Sequence, residues 1–373
     1  VKKINFSYKA ETHNFPTGIS PFPGAATGSG GRIRDLLCVG KGGQIVAGTA
    51  GYCVGDIPLV NLSLDISKDY KWLPSSPQRI LIEASNGASD YGNKIGEPLI
   101  QGFTRSYRQD FSKLDNSGGN HKTKRIEWLK PIMFSGGIGI VHDRDIKKED
   151  ARDKLLIVRV GGPAYRIGMG GGSASSRTQS TVNQRDDFQA VQRGDPLMAN
   201  KLCRFLRCLV NRRVNPIVSI HDQGSGGMAN VTREIAEGSG ATIYLDRVFS
   251  GDSTLTSLEK WVAEYQEQIT LLVEKRDFKI LKVIGKRENI SVVEVGEINN
   301  SKHLQVWNKS PTIGDTSEID NLNRKKAVDI PMEIPEVRKK YHVKRVHKDY
   351  DILDYAKVNL TTQDKTNLIN KIE

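Results

Sequence analysis

The chain has 373 residues, 26% of them charged and 37% apolar, with a formal net charge of +12, and is long enough for two domains with separate cores. No apolar run approaches the roughly 18 residues of a membrane-spanning helix, and Val1–Tyr8 lacks a signal-peptide pattern, so a cytoplasmic protein with no membrane partner is expected. Of the four cysteines only Cys203 and Cys208 are close, in an apolar helical stretch without a second ligand pair, which disfavours zinc.

Taken in chain order, Lys9 to Asn14 is predicted to be extended, with Lys9, Glu11 and His13 on one face and Ala10, Thr12 and Asn14 on the other. A cation, a carboxylate and an imidazole then share a face. Gly24, Gly28, Gly30 and Gly31 follow in what reads as a glycine-rich turn able to aim backbone N–H groups at an anion, closed by Arg32, Arg34 and Asp35. Asp35 is positioned to complete a hard-cation site begun by Glu11. No Gly-Lys-Ser or Gly-Lys-Thr follows, which excludes the nucleotide P-loop. A dinucleotide fold with Asp56 as its acidic residue is disfavoured by Pro21 and Pro23 in the would-be first strand. Strands are predicted over Gln44–Val46, Gly51–Val54 and Arg79–Glu83, and a polar surface insertion over residues 107–126.

A second unit is predicted to begin near Ala151, where LLIVRV reads as a short strand. Leu197, Met198, Leu202, Phe205, Leu206, Leu209 and Val210 form an apolar stripe at helical spacing. Pro216–Ile220 reads as a buried strand, His221–Gly227 as a glycine turn at its carboxyl end, and a helix begins near Met228. Ligands collect at such strand ends, so Asp222 is a candidate third carboxylate. Trp261–Gln268 reads as amphipathic and Ile269–Val273 as a strand. The positive charge raises nucleic acid as a partner. Its densest run, Arg338, Lys339, Lys340, Lys344, Arg345 and Lys348, carries no recognition signature and reads as a solvated linker, so nucleic acid is disfavoured.

The string ETHNFPTG, followed by PGAATGSGGRIRD, resembles the signature of the phosphoribosylformylglycinamidine synthase family. GASDYGNKIGEPLIQGFTR, KPIMFSGGIG, VGGPAYRIGMGGGSASS, FQAVQRGDP and HDQGSGGM match further in the same order. Phe15, where many bacterial relatives have a second histidine, makes the chain similar to the large, single-polypeptide form. The resemblance implies an α/β fold of the aminoimidazole ribonucleotide synthetase type. Its N-terminal ATP and substrate domain would occupy residues 1–150, its C-terminal domain 151–300, and a linker toward a second synthetase half 301–373. It implies ATP-dependent conversion of formylglycinamide ribonucleotide to the amidine, with ammonia released from glutamine, through an iminophosphate.

In that resemblance the metal ligands for Mg2+ would be Glu11, Asp35 and Asp222. ATP would be bound by Lys9, Gly24, Gly28, Gly30 and Gly31, and His13 would be catalytic, a role suited to a side chain titrating near neutral pH. Substrate would be held by Thr12, Asn14, Arg34, Gln192, Glu264, Tyr265 and Gln266, with Tyr265 departing from the small residue expected there. The implied partners are a glutaminase domain or subunit, since no Gly-x-Cys-x-Gly elbow surrounds any cysteine, and a second synthetase half or a homodimer partner. A different reading is an inactive fragment with a structural or assembly role.

Overall fold

Alternation along the first strand sets up a sheet with one covered and one open face. In β1 (Ile4–Thr12) Asn5, Ser7, Lys9 and Glu11 turn inward while Ile4, Phe6 and Tyr8 turn outward. Then come α1 (Asn14–Ile19), α2 (Pro21–Leu37), β2 (Gln44–Val54), α3 (Pro77–Ile95), β3 (Leu99–Ser106), β4 (Arg108–Lys113), β5 (Lys122–Glu127) and β6 (Ile132–His142). A computed structural model describes residues 3–57, 75–113, 122–176, 184–311 and 326–333; the basic run from Arg338 lies outside them. The sheet order is β1-β6-β2-β3, antiparallel except for the parallel β2–β3 pair. Within the predicted insertion, β4 and β5 form a two-stranded antiparallel ladder.

The glycine-rich segment is not a turn but the 17-residue helix α2. Each glycine in a helix interior forfeits about 1 kcal/mol relative to alanine, and here the packing uses the absence of side chains. A Cβ on Gly24 would lie 2.4 Å from the Pro16 carbonyl, one on Gly28 2.9 Å from His13 Cβ, and one on Gly30 2.7 Å from the Tyr91 ring. The glycines therefore let α1 and α3 lie close against α2. Helical amides are committed to carbonyls four residues back, so the expected cradle of N–H groups from Gly24, Gly28 and Gly30 does not exist.

Arg79–Glu83 is likewise helical, not a strand. Ser76 caps α3 by accepting from Arg79 N at 3.3 Å, Pro77 starts it, and Gly96 ends it at φ 84°. Ile80, Ala84, Ala88, Tyr91 and Ile95 recur at helical spacing and are all buried.

The second half of the described chain supplies β7 (Leu156–Gly161), α4 (Gly171–Ser176), α5 (Gln184–Ala190), α6 (Pro196–Val210), β8 (Ile217–Asp222), α7 (Gly227–Ile235) and β9 (Gly240–Tyr244). It continues with α8 (Ser257–Val262), β10 (Gln268–Val273), α9 (Phe278–Glu288), β11 (Ser291–Asn299), β12 (His303–Trp307) and β13 (Lys326–Pro331). The seven strands run β13-β12-β9-β11-β7-β10-β8. The expected stripe is α6, capped by Asp195, with Leu202, Phe205, Leu206, Leu209 and Val210 buried and Leu197 exposed.

Two expectations change here. The sheet continues past residue 300, because Leu304 and Val306 alternate into the core, so β12 and β13 are not linker. Trp261–Gln268 is not one amphipathic helix: α8 stops at Val262, where Ala263 turns to ψ 140°, and the chain runs on toward β10.

Ile33, Leu37, Tyr91 and Ile95 from α2 and α3 share one core with Leu202, Phe205 and Leu206 of α6 and with Val158, Val160 and Leu271 of the second sheet. This packing fixes α2 against the ends of β8 and β10. Among the described residues no helix is long and apolar enough to cross a membrane.

Candidate active site

A cavity of about 500 Å³ lies where the end of β1 and the beginning of α1 meet α2, α4, the β8–α7 turn and the segment before β10. Glu11, Thr12, His13, Asn14, Gly31, Arg34, Asp35, Gln192, Asp222, Glu264 and Gln266 all reach its wall. Residues from both sheets thus converge on one space. Gly24, Gly28 and Gly30, on the packed faces of α2, are buried and do not line the cavity.

The inward face of β1 works as its alternation predicts. Lys9 Nζ stands 2.5 Å from Asp35 Oδ2 and 3.5 Å from Glu11 Oε2, so the amine is taken up by the two carboxylates beside the cavity wall. Burial pulls the Lys9 ammonium down, but the two acids outweigh it and its pKa is raised. Glu11 is raised by burial and then by the Asp35 charge, and Asp222 by the same two causes. Three acids crowd one region; Lys9 and Arg34 offset Glu11, and Arg34 and His221 offset Asp222. Among the described residues no three acidic, imidazole or thiol side chains converge as ligands on one point.

His13 is not on the strand but just beyond it, at the start of α1. Its Nδ1 lies 2.6 Å from Gly24 O. A carbonyl can only accept, so Nδ1 carries the proton and Nε2 is left as an acceptor. Burial drives the imidazole down to about 4, against the Gly24 bond and helped by Arg34. The expected titration near neutral pH is thereby corrected: His13 is a neutral base at pH 7.

Arg34 reaches from α2 across to the loop before β10. Its Nη2 donates to Gln266 Oε1, and Nη1 lies 3.7 Å from Glu267 Oε1. Burial lowers its pKa, but Glu267, Tyr91, Asp222 and Asp35 outweigh it and raise it. Arg34 Nε and Nη1 are buried without a hydrogen-bond partner, as is Gln192 Oε1. Buried polar atoms are normally satisfied, so these mark places where a ligand can supply the missing bond. Glu264 is held by Gln192 Nε2 at 2.5 Å and by the Gly172 and Gly226 amides at 3.1 Å each. Asn14 Oδ1 is used structurally, accepting from Met133 N at 3.0 Å.

Tyr265 is the one residue of its run that faces away. Glu264 and Gln266 point into the cavity, while Tyr265 enters the second core, 1% exposed, with the Arg159 guanidinium 4.6 Å from its ring centre and its hydroxyl donating to Lys260 O. The expected substrate contact at Tyr265 is therefore not made. Sequence reasoning missed Lys130, Ser175, His221 and Glu234, all on the wall, and the buried Glu267 and Tyr91 behind Arg34. Lys130 and Ser175 do lie inside motif strings quoted above; Glu267 carried no local signal.

Comparison with known proteins places this arrangement. Residues 153–309 match the family model described as AIR synthase related protein, C-terminal domain. The chain is 50% identical over 309 residues to a phosphoribosylformylglycinamidine synthase of Dictyostelium discoideum, covering 81% of this chain and 22% of that protein. It is 48% identical over 302 residues to the Homo sapiens protein of the same name, covering 80% and 22%. The chain belongs to the phosphoribosylformylglycinamidine synthase family. It spans about a fifth of the length of these curated relatives. The fold agrees: Thermotoga maritima PurL complexed with FGAR superposes with a TM-score of 0.65 at 21% identity, covering 88% of this chain and 45% of that one. The hydrogenase maturation protein HypE in complex with ATP gives a TM-score of 0.53 at 14% identity, covering 90% and 87%. The chain has the α/β architecture its motifs implied, with α2 in place of the expected glycine turn.

Proposed function

We propose that this chain supplies an ATP-dependent amidoligase site that converts formylglycinamide ribonucleotide to formylglycinamidine ribonucleotide, in purine biosynthesis, as part of a longer synthase. One observation carries the reading: a single cavity gathers the acidic trio Glu11, Asp35 and Asp222 with Gln192, Glu264 and Gln266, all residues that the family resemblance assigns to the site. The substrate amide oxygen, a poor leaving group as it stands, attacks the γ-phosphorus of ATP, releasing ADP and the amide N–H proton and forming an iminophosphate. Ammonia then adds to the imidate carbon and phosphate departs with the C–O bond electrons.

Neutral His13, with Nε2 open as an acceptor, suits removal of a proton from the attacking nitrogen. Gln192 Oε1 accepts from a substrate N–H, and the free Arg34 donors hold a substrate oxygen. The acids fit a hard cation in kind, and a divalent ion replacing the Lys9 ammonium would relieve their mutual repulsion. Glu11, Asp35 and Asp222 would hold Mg2+, which supplies charge neutralisation at the ATP phosphates. Cytoplasmic location belongs to the same reading, although an Arabidopsis thaliana relative, 48% identical over 302 residues, is named chloroplastic/mitochondrial.

Calorimetry of the chain with magnesium-ATP and with formylglycinamide ribonucleotide tests this, in parallel with Asp35→Ala. Loss of ATP affinity by about 10-fold or more in the variant is expected from removal of a charged contact. Unchanged affinity would sink the assignment, and a folded wild type that binds neither ligand would favour the inactive-fragment reading.

The same reading calls for a face that a partner can cover. Register pairs Tyr8 with Ile138 and Phe6 with Ile140, and Phe103 packs at a tilt against Phe134 on the same outer face, with ring centres 5.8 Å apart. Phe6 is 81% exposed and Tyr8 69%. Contiguous apolar surface on an open sheet marks an interaction face. A second synthetase half, or a second copy of this chain, would cover it, and a glutaminase domain or subunit would supply ammonia. Phe6→Lys together with Tyr8→Lys is expected to abolish self-association of the chain in analytical ultracentrifugation; persistence of the dimer would move the interface elsewhere, and a monomeric wild type would leave the second half as the partner.

A further inference from the structure

We propose that Lys130 is a phosphate-holding residue of this cavity, an inference that rests on the phosphoribosyl-substrate reading above. The cavity wall carries four groups able to bear positive charge, His13, Arg34, Lys130 and His221, of which burial holds His13 neutral. Arg34 is engaged by Gln266 and Glu267, and His221 Nε2 lies 2.7 Å from Glu234 Oε2. Apart from the neutral His13, whose Nδ1 is held by Gly24 O, Lys130 alone of these has no carboxylate partner among the described residues.

Its Nζ donates to Ser175 O at 3.2 Å and stands 6.0 Å from the centre of the Phe15 ring. An ammonium has three N–H donors, so two remain for a ligand. Phe15 is 2% exposed and packed with Ile19, Ala174, Ala190 and Val191, which makes a rigid apolar floor under the lysine. A half-buried charge with neither counter-ion nor full hydration is unfavourable unless a ligand brings the anion. Glu264, on the same wall, does not serve, because its oxygens are taken by Gln192 and two backbone amides. The acidic trio gathers around Lys9 instead. Lys130 thus offers a point charge to a phosphate group, carried by the ribose of the substrate or by the nucleotide.

Calorimetry with ribose 5-phosphate, formylglycinamide ribonucleotide and magnesium-ATP, on wild type, Lys130→Met and Lys130→Arg, tests this, with circular dichroism confirming that each variant is folded. Methionine keeps a stem over Phe15 and removes the charge. The expected result is about 10- to 100-fold weaker binding of ribose 5-phosphate and of the ribonucleotide in Lys130→Met, with recovery in Lys130→Arg and unchanged ATP affinity. Weakening confined to ATP would keep the phosphate site and assign it to the nucleotide. Unchanged affinities for all three would overturn the role of Lys130 while the amidoligase reading stands. Lysine-dependent binding of ribose 5-phosphate without binding of the ribonucleotide would keep the site and remove that reading. A folded wild type that binds none of them would overturn both.

Discussion

Glu97→Gln lowers the unfolding free energy by about 3–5 kcal/mol, measured as a fall in the urea midpoint at an unchanged slope. Arg32 is fully buried beneath the four-stranded sheet, and Glu97 is 2% exposed. The guanidinium grips the carboxylate with two parallel bonds, Nη1 to Oε1 and Nη2 to Oε2, the latter at 2.6 Å, and Nε reaches Ser135 Oγ at 3.4 Å. The sheet makes room for it with glycines: a Cβ at Gly48 or Gly137 would lie 2.5 or 2.7 Å from the guanidinium nitrogens. Removing one partner strands a charge where water cannot reach it. Replacing both, as Arg32→Met with Glu97→Met, is expected to recover most of the loss, because the desolvation of both ions disappears with them. A single variant that loses less than about 1 kcal/mol, the scale of an exposed pair, would show that the pair is hydrated.

What the sequence disclosed follows from the range over which each feature is determined. Lys9 and Glu11 share a face because a strand alternates with period two, a rule contained in the six residues themselves. Asp222 is legible for a similar reason, since the apolar run Ile217–Ile220 and the glycines after it mark a strand end. Helix α2 is different. Its four glycines and two prolines read as a turn until Pro16, His13 and Tyr91 are seen lying where side chains would have been. Those contacts are tertiary, and tertiary packing overrides propensity. Tyr265 was misplaced by a local error of another kind: extended backbone after Val262 reverses the facing of alternate residues. The imidazole of His13 was identified by type, but its protonation is set by burial and by Gly24 O, neither of which a motif contains. Glu267 and Lys130 gained meaning only from partners distant in sequence, Arg34 and Tyr91 for the first and Ser175 and Phe15 for the second.

Glu267→Gln removes the pH dependence of stability that this buried acid imposes. Glu267 sits behind Arg34 at φ 58°, accepting from Tyr91 OH at 2.7 Å and from Asp195 N at 2.9 Å. Burial raises its pKa to about 7, although Arg34, Tyr91 and the Asp195 amide all favour the ionised form. The raised direction prevails because Arg34 Nη1, at 3.7 Å, is too far for a hydrogen bond. Between its ordinary value of 4.5 and about 7 the folded chain therefore holds a proton that the unfolded chain releases. The contribution is fully present below the lower value and lost as pH rises through the upper one, about 3 kcal/mol in all. Glutamine cannot ionise and has no such slope, so urea unfolding at pH 5 and pH 8 should find the variant gaining on the wild type at pH 8. His13 contributes with the opposite sign, since its lowered pKa removes stability as pH falls from 6.5 toward about 4. The difference between variant and wild type cancels His13 and isolates Glu267. A variant that instead loses ground at pH 8 would mean that the ionised pair with Arg34 governs. Ionised or protonated, Glu267 leaves Arg34 Nε and Nη1 without a hydrogen-bond partner and available to an oxygen in the cavity.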